Sequence, residues 1–278
     1  MEISNRNFFQ TSDGARIYFE EYGGGKGKPL LMIPGFLCTT RFFQRNVGPL
    51  SQNRRVVVID PRGQGFSSKT LCGNTVARNA QDIAELVEYL NLKKLVLLGW
   101  SVGSSVALHY AAKLDQGRLS GLILVDGSLF PLSDEAWNKH RARNYNVQNW
   151  MDTYLPLYYD PQLFHSRFIE RISNGKMSAE DQQWVLAECR KTMPWTALEL
   201  HYDFCHTDSL SCLPELRIPT AFFGGNSAAY GLDMLYEYAK RVRTPAQVHP
   251  FYESGHLMFY YEAEKFNRLV NDCCDALL

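Results

Sequence analysis

Short apolar runs recur along the chain and alternate with longer segments of mixed polarity. The apolar runs are rich in β-branched residues and are bounded by turn residues, a pattern typical of buried strands. Strands are predicted at 15–22, 30–33, 55–60, 94–99, 119–126, 220–223 and 247–252. Because helix-like segments separate these strands, the pattern predicts an α/β fold with a mostly parallel sheet flanked by helices.

Amphipathic spacing identifies the helix-like segments. Residues 79–92 carry Ile83, Leu86, Val87 and Leu90 at i, i+3, i+4 and i+7, which predicts a helix with one buried face. Further helices are predicted at 102–113, 231–241 and 257–278.

One long segment interrupts the alternation. Residues 130–212 are rich in aromatic side chains and have a helical pattern, and the strand pattern resumes near residue 218. We therefore predict a helical cap at 130–212, inserted into a core formed by 1–129 and 213–278.

Composition narrows the function classes. The chain has 278 residues, of which 45% are hydrophobic and 21% charged, and 29 basic residues balance 29 acidic ones. This composition predicts a globular protein without a nucleic-acid partner, because no basic cluster is present. No apolar run reaches about 18 residues, and the first residues do not resemble a secretory signal, so we expect no membrane partner. Seven scattered cysteines without CxxC spacing predict reduced thiols, a cytoplasmic location and no metal site.

The strongest chemical motif is the segment Gly99-Trp100-Ser101-Val102-Gly103. It lies between a predicted strand and a predicted helix, where a sharp turn would raise the Ser101 hydroxyl above the edge of the sheet. The N–H of Val102 would then lie at the start of a helix, where it could stabilise an oxyanion. These features predict that Ser101 is a nucleophile.

The motif and its context resemble the α/β-hydrolase superfamily, and the resemblance covers nearly all of the chain except the predicted cap. Pro34-Gly35-Phe36 matches the family's oxyanion segment, with Pro34 in place of the usual His. The resemblance implies that the N–H of Phe36 is the second oxyanion donor. Residues 60–67 match the family's D-x-R-G-x-G-x-S turn, to which we assign a structural role. Gly255-His256 matches the segment that carries the family's general base, which implies this role for His256.

The acid of the expected catalytic triad is less clear. The family places it after the strand that ends near Phe223, where this chain has Ser227. Asp126, at the end of the preceding strand, is the first alternative, because neighbouring strand ends open into one cleft. Asp233 is a second alternative, and a Ser–His dyad is a third.

These residues predict a serine hydrolase that acts on a small apolar or aromatic ester, lactone or amide, without a cofactor. Gly35 and Trp100 are expected to line the substrate site. A cofactor-free dioxygenase or an acyltransferase of the same fold, using His256 with Asp126, is an alternative, and a non-catalytic ligand receptor is another. The sequence does not identify the substrate or the oligomeric state.

Overall fold

The structure is a computed structural model that describes residues 5–140, 142–143, 146–225 and 231–276. In this part of the chain one eight-stranded sheet has the order β1-β2-β4-β3-β5-β6-β7-β8. The strands are β1 (Asn5–Gln10), β2 (Arg16–Gly23), β3 (Leu30–Ile33), β4 (Arg55–Asp60), β5 (Leu95–Trp100), β6 (Leu119–Val125), β7 (Thr220–Gly225) and β8 (Ala246–Phe251).

The sheet changes from antiparallel to parallel at β4. Strand β2 pairs antiparallel with both β1 and β4, and the pairs from β4–β3 to β7–β8 are all parallel. Every residue of β3 and of β5 is buried, as expected for central strands covered on both faces. Because the carboxyl ends of parallel strands share one edge, the loops after β3 to β8 meet there.

Helices cover the sheet and fill the segment between β6 and β7. The α-helices are α1 (Val47–Leu50), α2 (Val76–Tyr89), α3 (Val102–His109), α4 (Val147–Tyr154), α5 (Pro156–Tyr159), α6 (Pro161–Ser173), α7 (Ala179–Cys189), α8 (Pro194–His206), α9 (Leu232–Arg241), α10 (Met258–Tyr261) and α11 (Ala263–Ala276). Two 3-10 segments, Thr40–Phe43 and Leu210–Glu215, and a π-helical turn, Tyr110–Leu114, complete the described elements.

This architecture confirms the predicted fold class. Three details differ from the sequence prediction. Strand β1 was not predicted, because Asn5–Gln10 is mostly polar, as an edge strand often is. The helix predicted at 102–113 ends as an α-helix at His109 and continues as the π-helical turn. The helix predicted at 257–278 is two helices, α10 and α11, separated at Glu262.

Helices α4 to α8 occupy most of the segment predicted to be a cap. Glu188 of α7 accepts a hydrogen bond from the Thr39 hydroxyl at 2.7 Å, and Asp203 of α8 accepts one from the N–H of Val76 at 2.7 Å. These helices are therefore attached to the loop after β3 and to the first turn of α2. Within the described ranges no helix is long and apolar enough to cross a bilayer.

Candidate active site

Ser101 occupies a strained turn between β5 and α3. Its backbone has φ 58° and ψ −123°, a conformation that residues with a Cβ rarely adopt. The glycines of the motif allow the turn: a Cβ on Gly99 would lie 2.1 Å from the Gly103 carbonyl oxygen, and one on Gly103 would lie 2.6 Å from that of Ile33. The side chain is 7% exposed. Strand and helix therefore pack closely beneath a serine held at the edge of the sheet.

The two predicted oxyanion donors lie on either side of Ser101. Val102 is the first residue of α3, so its N–H has no acceptor within the helix. On the other side, a Cβ on Gly35 would lie 2.8 Å from the Ser101 Cβ and 3.3 Å from its Oγ. Phe36 follows directly. The structure thus places Gly35, Phe36 and Val102 beside Ser101, and the role of the two N–H groups as oxyanion donors stays a prediction.

His256 and Asp126 form a buried hydrogen-bonded pair. The Nδ1 atom of His256 lies 2.7 Å from Oδ2 of Asp126, and the two residues are 6% and 2% exposed. A carboxylate accepts the proton on Nδ1, so Nε2 remains available as a base. Asp126 follows β6 in a left-handed conformation, with φ 43°, and its Oδ1 accepts the N–H of Gly225 at 3.1 Å.

The end of β7 explains how the histidine loop approaches Asp126. A Cβ on Gly225 would lie 2.2 Å from the Gly255 carbonyl oxygen, so only glycine lets the loop before His256 pass so close. Ser227, at the family's usual acid position, lies outside the described residues. Asp233 is exposed in the first turn of α9, whereas Asp126 contacts the imidazole. Of the two aspartates considered from the sequence, the structure pairs His256 with Asp126.

Trp100 lies in the core beneath the site and has no exposed surface. Its indole N–H donates to the His256 carbonyl oxygen at 3.1 Å, and its ring centroid lies 5.1 Å from that of the imidazole. Phe42 and Phe259 pack on the same indole. We had expected Trp100 to line the substrate site. The structure places it instead as a support for the loop that carries His256, because its large ring fills the space between that loop and the sheet.

The helices between β6 and β7 cover the side chain of Phe36. The Phe36 ring contacts His201 of α8 at a centroid distance of 5.1 Å, Phe168 of α6 at 6.0 Å and Tyr154 of α4 at 6.4 Å. The indole N–H of Trp150 donates to Nδ1 of His201 at 3.2 Å. The aromatic composition of 130–212 indicated an aromatic surface, but no local pattern distinguished His201 or Phe168 from residues that pack only within the segment.

Cys38 also lies near the site, two residues after Phe36. Its thiol is buried and donates to the Phe36 carbonyl oxygen at 3.2 Å. Burial raises the pKa of the thiol well above its usual value, so the nucleophilic thiolate does not form near neutral pH. Cys38 therefore does not compete with Ser101 as a candidate nucleophile.

Comparisons with known proteins agree with this architecture. A family described as the alpha/beta hydrolase fold matches residues 28–185. The AB hydrolase superfamily protein YisY of Bacillus subtilis is 21% identical over 265 residues, which cover 95% of this chain and 97% of that protein. A non-heme haloperoxidase of Rhodococcus erythropolis is 26% identical and aligns over 79% of this chain and 81% of its own. The solved structure of an esterase from Exiguobacterium antarcticum superposes with a TM-score of 0.86 at 23% identity, over 97% of this chain and 99% of that one.

The fold and the site define an α/β protein with a serine at the carboxyl edge of a mostly parallel sheet. The family match covers more than half of the chain, and the chain belongs to the alpha/beta hydrolase family.

Proposed function

We propose that the protein is a serine hydrolase that cleaves small apolar or aromatic carboxylic esters, lactones or amides. The observation that carries this proposal is the buried pair of His256 Nδ1 and Asp126 Oδ2, 2.7 Å apart, at the sheet edge where Ser101 occupies its strained turn. A nucleophile, a base and a group that orients the base are the three parts that acyl transfer through a serine requires.

In the proposed reaction, His256 Nε2 takes the proton from Ser101 Oγ as that oxygen attacks the carbonyl carbon of the substrate. The carbonyl oxygen becomes an alkoxide, which the N–H groups of Phe36 and Val102 stabilise. His256 then gives its proton to the leaving group, and an acyl-enzyme remains on Ser101. Water, deprotonated by His256, then attacks the acyl carbon, and His256 returns the proton to Ser101 Oγ as the bond to that oxygen breaks and the acid is released. Asp126 keeps the proton of the neutral imidazole on Nδ1 and stabilises the imidazolium form.

The preference for apolar or aromatic substrates rests on the surface beside Phe36. Aromatic rings of Tyr154, Phe168 and His201 face this residue from three helices of the segment between β6 and β7. Binding sites for small molecules are mostly apolar, with a few polar groups at fixed positions. An aromatic or short aliphatic acyl group beside Phe36 would contact these rings, whereas a charged group would lose its hydration there.

The proposal is tested with p-nitrophenyl acetate and a fluorophosphonate probe. We expect the wild type to release p-nitrophenol and to become labelled on Ser101. Ser101→Ala should lose the label and reduce kcat/KM by about 10⁴-fold or more, because both the nucleophile and the acyl-enzyme are lost. Ser211→Ala is the matched control: this serine is exposed and its hydroxyl donates to the Asp208 carbonyl oxygen, so the variant should match the wild type.

Other results would replace the proposal. Full activity in folded Ser101→Ala would exclude the acyl-enzyme. Oxygen uptake with a heteroaromatic substrate, without labelling of Ser101, would favour the cofactor-free dioxygenase that the pair of His256 and Asp126 could also serve. Saturable ligand binding with neither turnover nor labelling would favour a receptor.

A further inference from the structure

We infer that Gln64 is a positioning residue for the oxyanion loop, defined here as residues 35–38. This inference rests on the proposed function, because it concerns the N–H of Phe36 as an oxyanion donor. Gln64 lies in the D-x-R-G-x-G-x-S turn after β4, and its side chain reaches the loop that follows β3. The turn had been assigned only a structural role from the sequence.

The carboxamide of Gln64 makes three hydrogen bonds to the backbone around Phe36. Its Oε1 accepts the N–H of Leu37 at 2.5 Å. Its Nε2 donates to the carbonyl oxygens of Gly35 at 3.2 Å and Cys38 at 3.3 Å. A carboxamide has both an acceptor and two donors, so it satisfies this pattern, which a carboxylate or an ammonium group could not. Gln64 thus contacts a residue on each side of Phe36.

The oxyanion loop needs such support. Leu37 has φ 62°, a left-handed conformation that is unfavourable for a residue with a Cβ. The Cys38 N–H donates to the Gly35 carbonyl oxygen at 3.2 Å, which closes a tight turn around Phe36. With Gln64 only 2% exposed, water does not readily replace its hydrogen bonds. Gln64 therefore stabilises the turn that determines where the Phe36 N–H points.

The turn after β4 holds Gln64 in place. The Gln64 N–H donates to the Pro61 carbonyl oxygen and the Gln64 carbonyl oxygen accepts the N–H of Ser67, both at 3.0 Å. Asp60 accepts the N–H of Phe66 at 2.8 Å and, through its other oxygen, the N–H of Thr40 at 2.7 Å. Asp60 therefore ties this turn to Thr40, two residues after the oxyanion loop.

If Gln64 is a positioning residue, its loss should destabilise the transition state and leave the affinity for the substrate nearly unchanged. The alkoxide exists only after Ser101 has attacked, so a displaced Phe36 N–H would slow the reaction without weakening initial binding. Oxyanion donors act over a narrow range of distances. A small displacement of the Phe36 N–H would therefore weaken its hydrogen bond to the developing alkoxide.

The test compares Gln64→Met with the wild type. Methionine keeps the length and volume of the side chain and removes the three hydrogen bonds. We expect kcat for p-nitrophenyl acetate to fall by about 10- to 100-fold, less than the loss of a whole donor, with KM changed by less than about 2-fold. We also expect the Ki of an aryl trifluoromethyl ketone to rise by the same factor as kcat/KM falls. Ser101 Oγ adds to the ketone carbon, its proton passes to His256, and the resulting alkoxide tests the oxyanion site directly.

Two further variants separate this role from general stability. Asn138→Leu is the matched control, because Asn138 is also a buried carboxamide, 1% exposed, whose Nδ2 donates to backbone carbonyls, including those of Pro131 and Ser133. It should lower Tm while kcat per folded molecule and Ki stay unchanged. Gln64→Glu provides a second test if Gln64→Met does not fold, and it should also reduce kcat and raise Ki, because it keeps the acceptor for Leu37 and loses both donors.

Hydrogen exchange at Leu37 gives a readout that does not depend on activity. The Leu37 amide should exchange faster in Gln64→Met than in the wild type, and unchanged exchange would overturn the inference even in an active enzyme. A folded Gln64→Met with unchanged kcat/KM would overturn it too, as would a fall in kcat/KM without a rise in Ki. If the wild type neither hydrolyses esters nor labels at Ser101, the proposed function fails, and the exchange experiment still tests what Gln64 does to the loop.

Discussion

The carboxyl edge of the sheet and the helical segment between β6 and β7 are built in different ways. The strands that lead to Ser101 and to the oxyanion loop are buried at every position. The helical segment instead leaves many large apolar side chains exposed. These are Val147, Met151, Tyr158, Tyr159, Leu163, Met193, Trp195 and Tyr202. The candidate site thus lies at the ends of strands that are buried at every position.

The two regions are joined by polar contacts as well as by the aromatic packing on Phe36. Glu188 accepts from Thr39, Glu199 accepts from the Asn74 amide at 2.7 Å, and Asp203 accepts the N–H of Val76. Such contacts can break and reform at a cost of about 1 kcal/mol each, whereas displacing a buried strand costs far more. We therefore expect substitutions at the sheet edge to change kcat, and substitutions at these contacts to change stability or KM.

The largest effect in this comparison is expected for Asp126→Asn. Asparagine keeps the size of the side chain, but its amide can donate to His256 Nδ1, which favours the tautomer with its proton on Nε2 and removes the base. We expect kcat to fall by about 10²- to 10⁴-fold with KM little changed. The measurement is steady-state hydrolysis of p-nitrophenyl acetate by protein whose folding is checked by circular dichroism.

Asp233→Asn is the control for this variant. Asp233 is exposed on α9, and its substitution should leave kcat within about 2-fold of the wild type, as is usual for a surface change. A larger loss in Asp233→Asn than in Asp126→Asn would mean that Asp233, and not Asp126, acts as the acid.

The sheet edge was largely predictable from the sequence, because its residues are adjacent to strands with strong apolar patterns. Ser101 and Asp126 each follow such a strand directly, Phe36 lies three residues after one, and a parallel sheet brings strand ends together. The strand order places β3, β5 and β6 next to one another. The sequence left both Asp126, after β6, and Asp233, after β7, as candidates for the acid. The structure shows that Asp126 is the one that contacts His256.

Contacts between distant segments could not be predicted in the same way. The hydrogen bonds of Gln64 and the packing of His201 on Phe36 depend on side-chain directions that follow from the whole fold. Gln64 stands at a variable position of its turn motif, so no residue type was expected there. The burial of Trp100 could not be predicted for a related reason. Its position in the motif indicated proximity to the site but not whether its ring faced the cleft or the core.

Asp60, buried at the end of β4, is expected to make the stability of the protein depend on pH. Burial raises the pKa of Asp60 from 3.8 to about 6, with further contributions from the negative charges of Glu20 and of Glu188 on α7. Between these two values the folded protein keeps the proton and the unfolded chain loses it, so stability from this group falls as pH rises. Between about pH 4 and pH 7 the wild type should lose roughly 2–3 kcal/mol relative to Asp60→Asn.

This difference is measured by urea unfolding of both proteins across that range. The comparison uses the change with pH and not the absolute stabilities, because asparagine also alters the hydrogen bonds to Thr40 and Phe66. If the free energy of unfolding changes with pH in the same way for both proteins, Asp60 titrates as an ordinary carboxyl. Glu188→Gln should bring the pKa of Asp60 closer to its ordinary value, because it removes one of the nearby negative charges.

The smallest effect on stability and activity is expected for substitutions where the helical segment meets α2. Thr75 caps this helix by accepting the N–H of Arg78, and Asp203 of α8 accepts the N–H of Val76, a further donor of the first turn. Asp203→Ala removes a capping acceptor and a negative charge beside the positive end of the helix dipole. The free energy of unfolding should fall by about 1 kcal/mol, as for other lost caps, and by less in Asp203→Asn, which keeps an acceptor.

Because Asp203 contacts α2 and not the sheet edge, kcat per folded molecule should stay within about 2-fold of the wild type. Urea unfolding and steady-state kinetics on the same samples measure both quantities. A loss of kcat comparable to that of Asp126→Asn would mean that the helical segment takes part in the chemistry, and the separation between the two regions would fail.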